Sequence, residues 1–274
     1  MSMQITGSMN ITLNGVDFRY ELDGPEGAPW IVFSNSLTTD VTMWDTEVAQ
    51  LADRYRILRY DTRGHGQSSA PEGPYSFDLL VGDIVALMDA VGVDKAHYVG
   101  LSLGGMAGLG MAIEHGDRLL SLAACDARPF ADPEWAAPWV DRIALAREKG
   151  MAALVEPTVA RWFTEDFQAE AANAPVLDHV RRMIRETSVE GYTGCAGALQ
   201  GLNYLPRLGE ISVPSLFMTG KSDGSTPPAA SRQMHEAVAG SRCVILEPAS
   251  HISNLENPAA FDAALFAHIE AAAA

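Results

Sequence analysis

Cysteine is scarce in this chain of 274 residues. The three cysteines, Cys125, Cys195 and Cys243, are an odd number, and no positively charged segment followed by an apolar one marks the amino terminus. This pattern argues against both a disulfide framework and a signal peptide. We therefore expect a protein of a reducing compartment, the cytoplasm.

Positive charge is also in short supply. Lysine and arginine number 19 against 35 acidic residues, which gives a formal net charge of −16 and a pI near 4.7. Such a chain lacks the surplus of cations that phosphate backbones and anionic membrane surfaces attract. No apolar run approaches the roughly 20 residues of a membrane-spanning helix, and no CxxC or HxxxH spacing indicates a metal site. We expect a soluble protein that needs no metal and no cofactor, and the oligomeric state stays open.

Apolar strands and amphipathic helices alternate along most of the chain. A hairpin is predicted around Asn14-Gly15, a dipeptide typical of tight turns between paired strands. Further strands are predicted at residues 30–33, 56–60, 96–99, 119–124, 213–218 and 243–246, with helices between them and a closing helix from 258 to about 270. This order predicts an α/β fold with a mostly parallel sheet flanked by helices.

The alternation is interrupted once, over residues 128–206. This segment is helix-like throughout and rich in alanine, arginine and glutamate. We interpret it as a helical lid inserted into a single core domain, which residues 1–127 and 207–274 form together.

The most informative motif is Gly100-Leu101-Ser102-Leu103-Gly104. It follows a predicted strand and opens a helix rich in glycine and alanine, which is the context of a nucleophile elbow. In such a turn the apex residue has a strained backbone, and glycines on either side avoid a steric clash. Ser102 is therefore the candidate nucleophile.

A serine hydroxyl needs a base to take its proton and a carboxylate to orient that base. Among seven histidines, only His251 follows a late strand within a polar loop just before the closing helix. We predict that His251 is the base. His65 lies in a tight loop after an earlier strand, where a role in organising the loop is favoured over a catalytic one.

Two aspartates are candidates for the acid, since Asp126 and Asp223 each follow an apolar strand and both fit the order serine, acid, histidine. Asp223 is favoured because its turn-rich loop comes one strand before the histidine loop. Asp126 is the alternative, with a role at the root of the lid as its other interpretation. Glu247 is too close to His251 along the chain to orient the ring easily.

Two backbone amides are candidates for an oxyanion hole. The amide of Leu103 lies at the start of the helix that follows Ser102, where the helix dipole favours negative charge. The amide of Leu37 belongs to the polar loop that leaves the strand at residues 30–33.

Taken together, the elbow, the Asp61-x-Arg63-Gly64-His65-Gly66-x-Ser68 loop, Asp223 and His251 resemble the α/β-hydrolase fold over nearly the whole chain. More local motifs resemble the 3-oxoadipate enol-lactonase family. They are Ser34-Asn35-Ser36-Leu37, Met43-Trp44-Asp45, Arg161-Trp162-Phe163-Thr164, Glu190-Gly191-Tyr192, Thr226-Pro227-Pro228 and Ser250-His251-Ile252-Ser253-Asn254.

The resemblance implies a serine hydrolase that cleaves a small lactone or carboxylic ester through an acyl-enzyme, with 3-oxoadipate enol-lactone as one such substrate. A carboxylated lactone would need a local cation, for which Arg161, Arg142 and Arg128 are candidates. Two tryptophans of the lid, Trp139 and Trp162, are candidates for the walls of an apolar pocket.

Other activities share the same triad. Carboxylesterases, carbon–carbon bond hydrolases and cofactor-free perhydrolases are alternatives that fold alone does not separate. A non-catalytic ligand receptor on the same scaffold is a further alternative, which the intact set of Ser102, Asp223 and His251 disfavours.

Overall fold

The computed structural model describes residues 6–273. Eight strands form one sheet within this range. They are β1 (Thr6–Leu13), β2 (Val16–Asp23), β3 (Trp30–Ser34), β4 (Arg56–Tyr60), β5 (Ala96–Leu101), β6 (Leu119–Cys125), β7 (Ser215–Gly220) and β8 (Arg242–Leu246).

The strands lie in the order β1-β2-β4-β3-β5-β6-β7-β8. The β1–β2 hairpin and the β2–β4 pair are antiparallel, and all other neighbours are parallel. Asn14 and Gly15 close the hairpin with positive φ angles of 49° and 73°, as a type I′ turn requires. The predicted mostly parallel sheet is confirmed.

Twelve α-helices accompany the sheet in the described chain. They are α1 (Asp45–Leu51), α2 (Phe77–Ala90), α3 (Leu103–Glu114), α4 (Pro133–Ala136), α5 (Pro138–Lys149), α6 (Val155–Trp162), α7 (Glu165–Ala169), α8 (Ala174–Glu186), α9 (Val189–Gln200), α10 (Pro228–Ala237), α11 (Ser253–Glu256) and α12 (Pro258–Ala273). Five short 3₁₀ helices occupy Val41–Trp44, Gly116–Arg118, Met151–Leu154, Ala171–Asn173 and Leu205–Glu210. None of these helices is both long enough and apolar enough to cross a membrane.

The predicted element boundaries hold to within a few residues. One shift has a clear local cause: β7 begins at Ser215 rather than at the predicted Val213. Pro214 explains the difference, because a proline has no amide hydrogen for the ladder and only its carbonyl oxygen pairs, with the amide of Leu122 at 2.9 Å.

Six of the helices, α4 to α9, lie between β6 and β7 in the chain. Their packing follows the sequence pattern, as in α8, where Leu177, Val180 and Ile184 form one buried stripe. The central strands are buried along most of their length, and β5 and β7 are buried throughout. Because these strands are parallel, the loops after β3, β5, β6, β7 and β8 all leave the same edge of the sheet, and every candidate site residue outside the inserted segment lies on one of them.

Candidate active site

The turn between β5 and α3 places Ser102 at its apex with φ = 54° and ψ = −112°. A Cβ atom at Gly100 would lie 2.3 Å from the carbonyl oxygen of Gly104, and one at Gly104 would lie 2.2 Å from that of Ser34. Only glycine fits at either position. The backbone therefore has the strained geometry that a nucleophile elbow requires.

Three polar side chains from three different loops form one hydrogen-bonded chain. Nε2 of His251 lies 3.0 Å from Oγ of Ser102, and Nδ1 of His251 lies 2.8 Å from Oδ2 of Asp223. Both distances allow hydrogen bonds, and the order of the three groups is that of nucleophile, base and orienting acid. Of the two candidate acids, Asp126 and Asp223, it is Asp223 whose carboxylate lies within hydrogen-bond distance of the imidazole ring of His251.

The carboxylate of Asp223 is fixed independently of the histidine. Its Oδ1 accepts hydrogen bonds from the amides of Ser225 and Thr226 at 2.7 and 3.0 Å, and its Oδ2 also accepts one from the hydroxyl of Thr226. Thr226 belongs to one motif of the family resemblance, but the sequence predicted no role for it in the site. Burial lowers the pKa of His251, but the charge and hydrogen bond of Asp223 outweigh it, and the pKa of His251 lies above its ordinary value of 6.5.

Asp126 is buried close to this group but makes no hydrogen bond to it. Its Oδ1 accepts from the amide of Gly220 at 3.0 Å, and its Oδ2 accepts from the hydroxyl of Ser253. Burial raises the pKa of Asp126 to about 7, and the charge of Asp223 adds to this effect. Asp126 therefore does not take the place of the acid.

The two candidate oxyanion donors belong to segments that are held against each other. The amide of Gly104 donates a hydrogen bond of 3.0 Å to the carbonyl oxygen of Asn35, so the start of α3 is joined to the loop after β3. Neither the amide of Leu37 nor that of Leu103 has an acceptor among residues 6–273. Two free amides beside Ser102 are what an oxyanion hole needs.

A cavity of about 260 Å³ opens above Ser102 and His251. Helices α4, α5, α6 and α9 of the inserted segment supply most of its wall, and Trp139, Trp162 and Arg161 are all part of it. The ring centre of Trp162 lies 5.8 Å from that of His251.

The sequence of this chain is similar to those of known hydrolases. The model of the alpha/beta hydrolase fold matches residues 29–258. The chain belongs to the α/β-hydrolase family. It is 35% identical over 255 residues to 3-oxoadipate enol-lactonase 2 of Acinetobacter baylyi, with 93% of this chain and 94% of that protein covered. To 3-oxoadipate enol-lactonase 1 of the same organism it is 33% identical over 262 residues, with 95% of this chain and 94% of that protein covered.

Solved structures agree with this assignment. The crystal structure of the enol-lactonase from Burkholderia xenovorans LB400 superposes with a TM-score of 0.91 at 40% identity, covering 96% of this chain and all of that one. The predicted resemblance to the 3-oxoadipate enol-lactonases is confirmed, and with it the prediction of an α/β-hydrolase acting on ester or lactone bonds.

Two arginines of this α/β-hydrolase reach the cavity, and a third does not. Arg161 and Arg142 both line it, and neither forms an ion pair within residues 6–273. Arg161 donates to the carbonyl oxygen of Pro157 at 2.8 Å, and burial together with the charge of Arg142 lowers its pKa to about 10. The third candidate, Arg128, lies outside the cavity wall and is paired with Asp132.

Thr38 and His65 are two further polar residues on the loops after β3 and β4. Thr38 lines the cavity beside Leu37 with φ = 64°, an uncommon conformation for a β-branched residue that sequence reasoning could not foresee. His65 does not line the cavity. Its ring is completely buried, and its Nδ1 lies 3.1 Å from the carbonyl oxygen of Arg63. Burial lowers the pKa of His65 to about 4, so its role in the loop is that of a neutral packing residue.

Proposed function

We propose that this α/β-hydrolase opens a small lactone that carries a carboxylate, such as 3-oxoadipate enol-lactone, through an acyl-enzyme on Ser102. One observation carries the proposal: Ser102 and His251, joined by hydrogen bonds to each other and to Asp223, line a cavity whose wall holds two arginines that form no ion pair among the described residues. The names of the relatives point to the same substrate class.

In the first half of the reaction, Oγ of Ser102 attacks the lactone carbonyl carbon while Nε2 of His251 takes the hydroxyl proton. The amides of Leu37 and Leu103 donate to the oxygen on which negative charge develops. When the ring carbon–oxygen bond breaks, the leaving oxygen takes the proton back from His251. An enol released in this way becomes a ketone, and the whole substrate stays attached to Ser102 because a lactone has no separate alcohol part.

In the second half, His251 removes a proton from a water molecule, which attacks the ester bond of the acyl-enzyme. The tetrahedral intermediate collapses, Oγ of Ser102 recovers its proton from His251, and a dicarboxylate leaves. Asp223 keeps its negative charge throughout and holds the ring with Nδ1 protonated, so that Nε2 is free to act as the base.

The two arginines support recognition of an anionic substrate. Two like charges facing one cavity repel each other, and a bound carboxylate relieves that repulsion while gaining charge-assisted hydrogen bonds. The planar group of Arg142 stacks over the ring of Trp139 at 4.8 Å, which limits its freedom before substrate arrives. Among the described residues that line the cavity, Glu134 is the one carboxylate, and its side chain is exposed.

We further propose that residues 128–206 act as the lid that gives the core its specificity. The support is positional: this segment contributes the tryptophans and arginines of the cavity, while the core contributes Ser102, His251 and Asp223. A shared hydrolytic core with a variable cover is the usual way in which one fold serves several substrates.

The test compares hydrolysis of a carboxylated enol-lactone with that of its neutral methyl ester in Arg161→Gln and Arg142→Gln variants. We expect KM for the carboxylated substrate to rise about 10-fold to 100-fold, equivalent to about 1.4–2.8 kcal/mol, with little change for the ester. Arg147→Gln is the matched control, because Arg147 lies on the same helix as Arg142 but outside the cavity wall. Equal losses on both substrates, or wild-type KM in both variants, would contradict carboxylate recognition and favour a general esterase.

A further inference from the structure

The carboxyl end of β6 touches all three loops that hold the proposed catalytic groups. The amide of Ser102 donates to the carbonyl oxygen of Cys125 at 2.8 Å, so the last residue of β6 supports the elbow. The next residue, Asp126, reaches the other two loops through its side chain: Oδ1 accepts from the amide of Gly220, and Oδ2 accepts from the hydroxyl of Ser253.

These two contacts lie within three residues of the groups they support. Gly220 is three residues before Asp223, and Ser253 is two residues after His251. Asp126 itself is anchored to the sheet, because its amide donates to the carbonyl oxygen of Met218 at 2.7 Å. One fully buried carboxylate therefore joins the loop of the acid to the loop of the base.

The electrostatic coupling of this carboxylate to the base is limited, because burial raises the pKa of Asp126 to about 7. Asp223 and Asp126 both favour the protonated ring of His251, whereas burial and the positive charge of Arg161 disfavour it. His251 in turn favours the ionised form of Asp126, while burial and Asp223 oppose it. The thiol of Cys125, next to Asp126 in the chain, is also buried; burial raises its pKa, the charge of Asp126 adds to this effect, and the thiol stays neutral.

We propose that Asp126 is a positioning residue of the active site: its two hydrogen bonds hold the Asp223 loop and the His251 loop at a fixed separation. The proposal rests on the proposed function, in which His251 is the base. It differs from the role of an alternative acid, because Asp126 acts through Gly220 and Ser253 and not by contact with the ring.

Asp126→Asn separates the charge from the hydrogen bonds. An asparagine oxygen can accept from Gly220 and its amide group can donate to the Ser253 hydroxyl, so the loops stay joined while the charge is lost. We expect plateau kcat on the carboxylated lactone to fall less than about fivefold. The loops remain joined in this variant, so its kcat should stay well above that of Asp126→Ala. A loss in Asp126→Asn as large as that in Asp126→Ala would contradict a role that depends on the joined loops.

Asp126→Ala removes both hydrogen bonds. We expect kcat to fall about 100-fold with little change in KM, since the cavity wall that binds the substrate is untouched while the base is misplaced. Ser253→Ala removes one bond and keeps the carboxylate, and it should lower kcat by a smaller factor even if Asp126→Ala fails to fold. Wild-type kcat in both variants, with the fold checked by circular dichroism, would overturn the positioning role.

A parallel measurement on Ser102→Ala keeps the two proposals apart. Turnover that survives in Ser102→Ala would defeat the proposed function itself. Turnover that disappears there but is normal in Asp126→Ala and Ser253→Ala would defeat only the role of Asp126.

Discussion

The backbone amide of His251 donates a hydrogen bond to the carbonyl oxygen of Trp162, at 3.0 Å. Trp162 is the last residue of α6, in the inserted segment, whereas His251 lies on the loop after β8 of the core. The side chains continue this contact, because the tryptophan ring forms part of the cavity wall beside the imidazole. The segment that covers the cavity thus also supports the proposed base.

Replacing Trp162 with alanine should damage both stability and turnover. The side chain is nearly fully buried, and its removal leaves a void against His251, for which we expect a cost of about 3 kcal/mol in unfolding free energy and a lower kcat. Trp162→Phe keeps an aromatic wall and should lose less of both. Urea unfolding and steady-state kinetics measure the two effects, and a Trp162→Ala variant with wild-type kcat would show that the ring does not help to place the base.

Gly104→Ala should disrupt the oxyanion hole. Its Cβ would clash with the carbonyl oxygen of Ser34 and push the loop of Leu37 away from α3. We expect a loss of more than about 3 kcal/mol in stability and about 100-fold or more in kcat. The matched control is Gly82→Ala in the interior of α2, where a Cβ meets nothing within 4 Å and alanine should stabilise the helix by up to about 1 kcal/mol. Similar effects of the two substitutions would contradict the close approach at Gly104.

Asp223→Asn should lower kcat by about 10⁴-fold while leaving the fold intact, because asparagine no longer favours the tautomer of His251 with a free Nε2.

In the wild type, activity should be lost as pH falls through the pKa of His251, since only the neutral ring can accept the proton of Ser102. That pKa lies above 6.5, so the acid limb of kcat/KM should lie above it too. A limb well below pH 6.5, or modest loss in Asp223→Asn, would argue against this base and acid.

Glu47 provides a pH-dependent test of stability away from the site. Its side chain is completely buried, and burial raises its pKa to about 8 from 4.5; the charge of Asp262 adds to this effect, and the neighbouring amide of Asn254 opposes it only in part. The folded state therefore holds a proton that the unfolded state releases above about pH 4.5. The stability from this group is complete below that pH and declines by about 1.4 kcal/mol per pH unit until about pH 8.

Glu47→Gln should remove that decline. The unfolding free energy of this variant, measured in urea, should rise relative to that of the wild type between pH 5 and pH 8. Above pH 8 the difference between the two proteins should stay constant. Glu148→Gln, on an exposed side chain of α5, should run parallel to the wild type throughout. Parallel curves for Glu47→Gln as well would mean that the carboxyl group is already charged in the folded protein at pH 5.

Much of the sheet could be predicted because its strands are short apolar runs separated by turn residues, and Ser102 and His251 could be placed on one edge because parallel strands end together. The acid that orients His251 was harder to predict, since Asp126 and Asp223 occupy equivalent positions after neighbouring strands. The turn-rich loop of Asp223 favoured that residue in the sequence, and the structure agrees: the carboxylate of Asp223 lies at His251, whereas that of Asp126 accepts hydrogen bonds from Gly220 and Ser253.

The cavity wall was the least predictable part. Arg142, Arg161 and Arg128 look alike in the sequence, and what distinguishes them is tertiary packing, which aims two of them at the cavity and pairs the third with Asp132. The left-handed backbone of Thr38 carries no sequence signal either, because glycine or asparagine is the usual mark of that conformation.

The most direct test of the proposed chemistry is the intact mass of the enzyme, acid-quenched during its first turnovers of a carboxylated enol-lactone. We predict a transient increase equal to the mass of the whole lactone, located on Ser102 by peptide mapping and missing in Ser102→Ala. Rapid turnover without any adduct, or with an adduct that persists in Ser102→Ala, would contradict an acyl-enzyme on this serine.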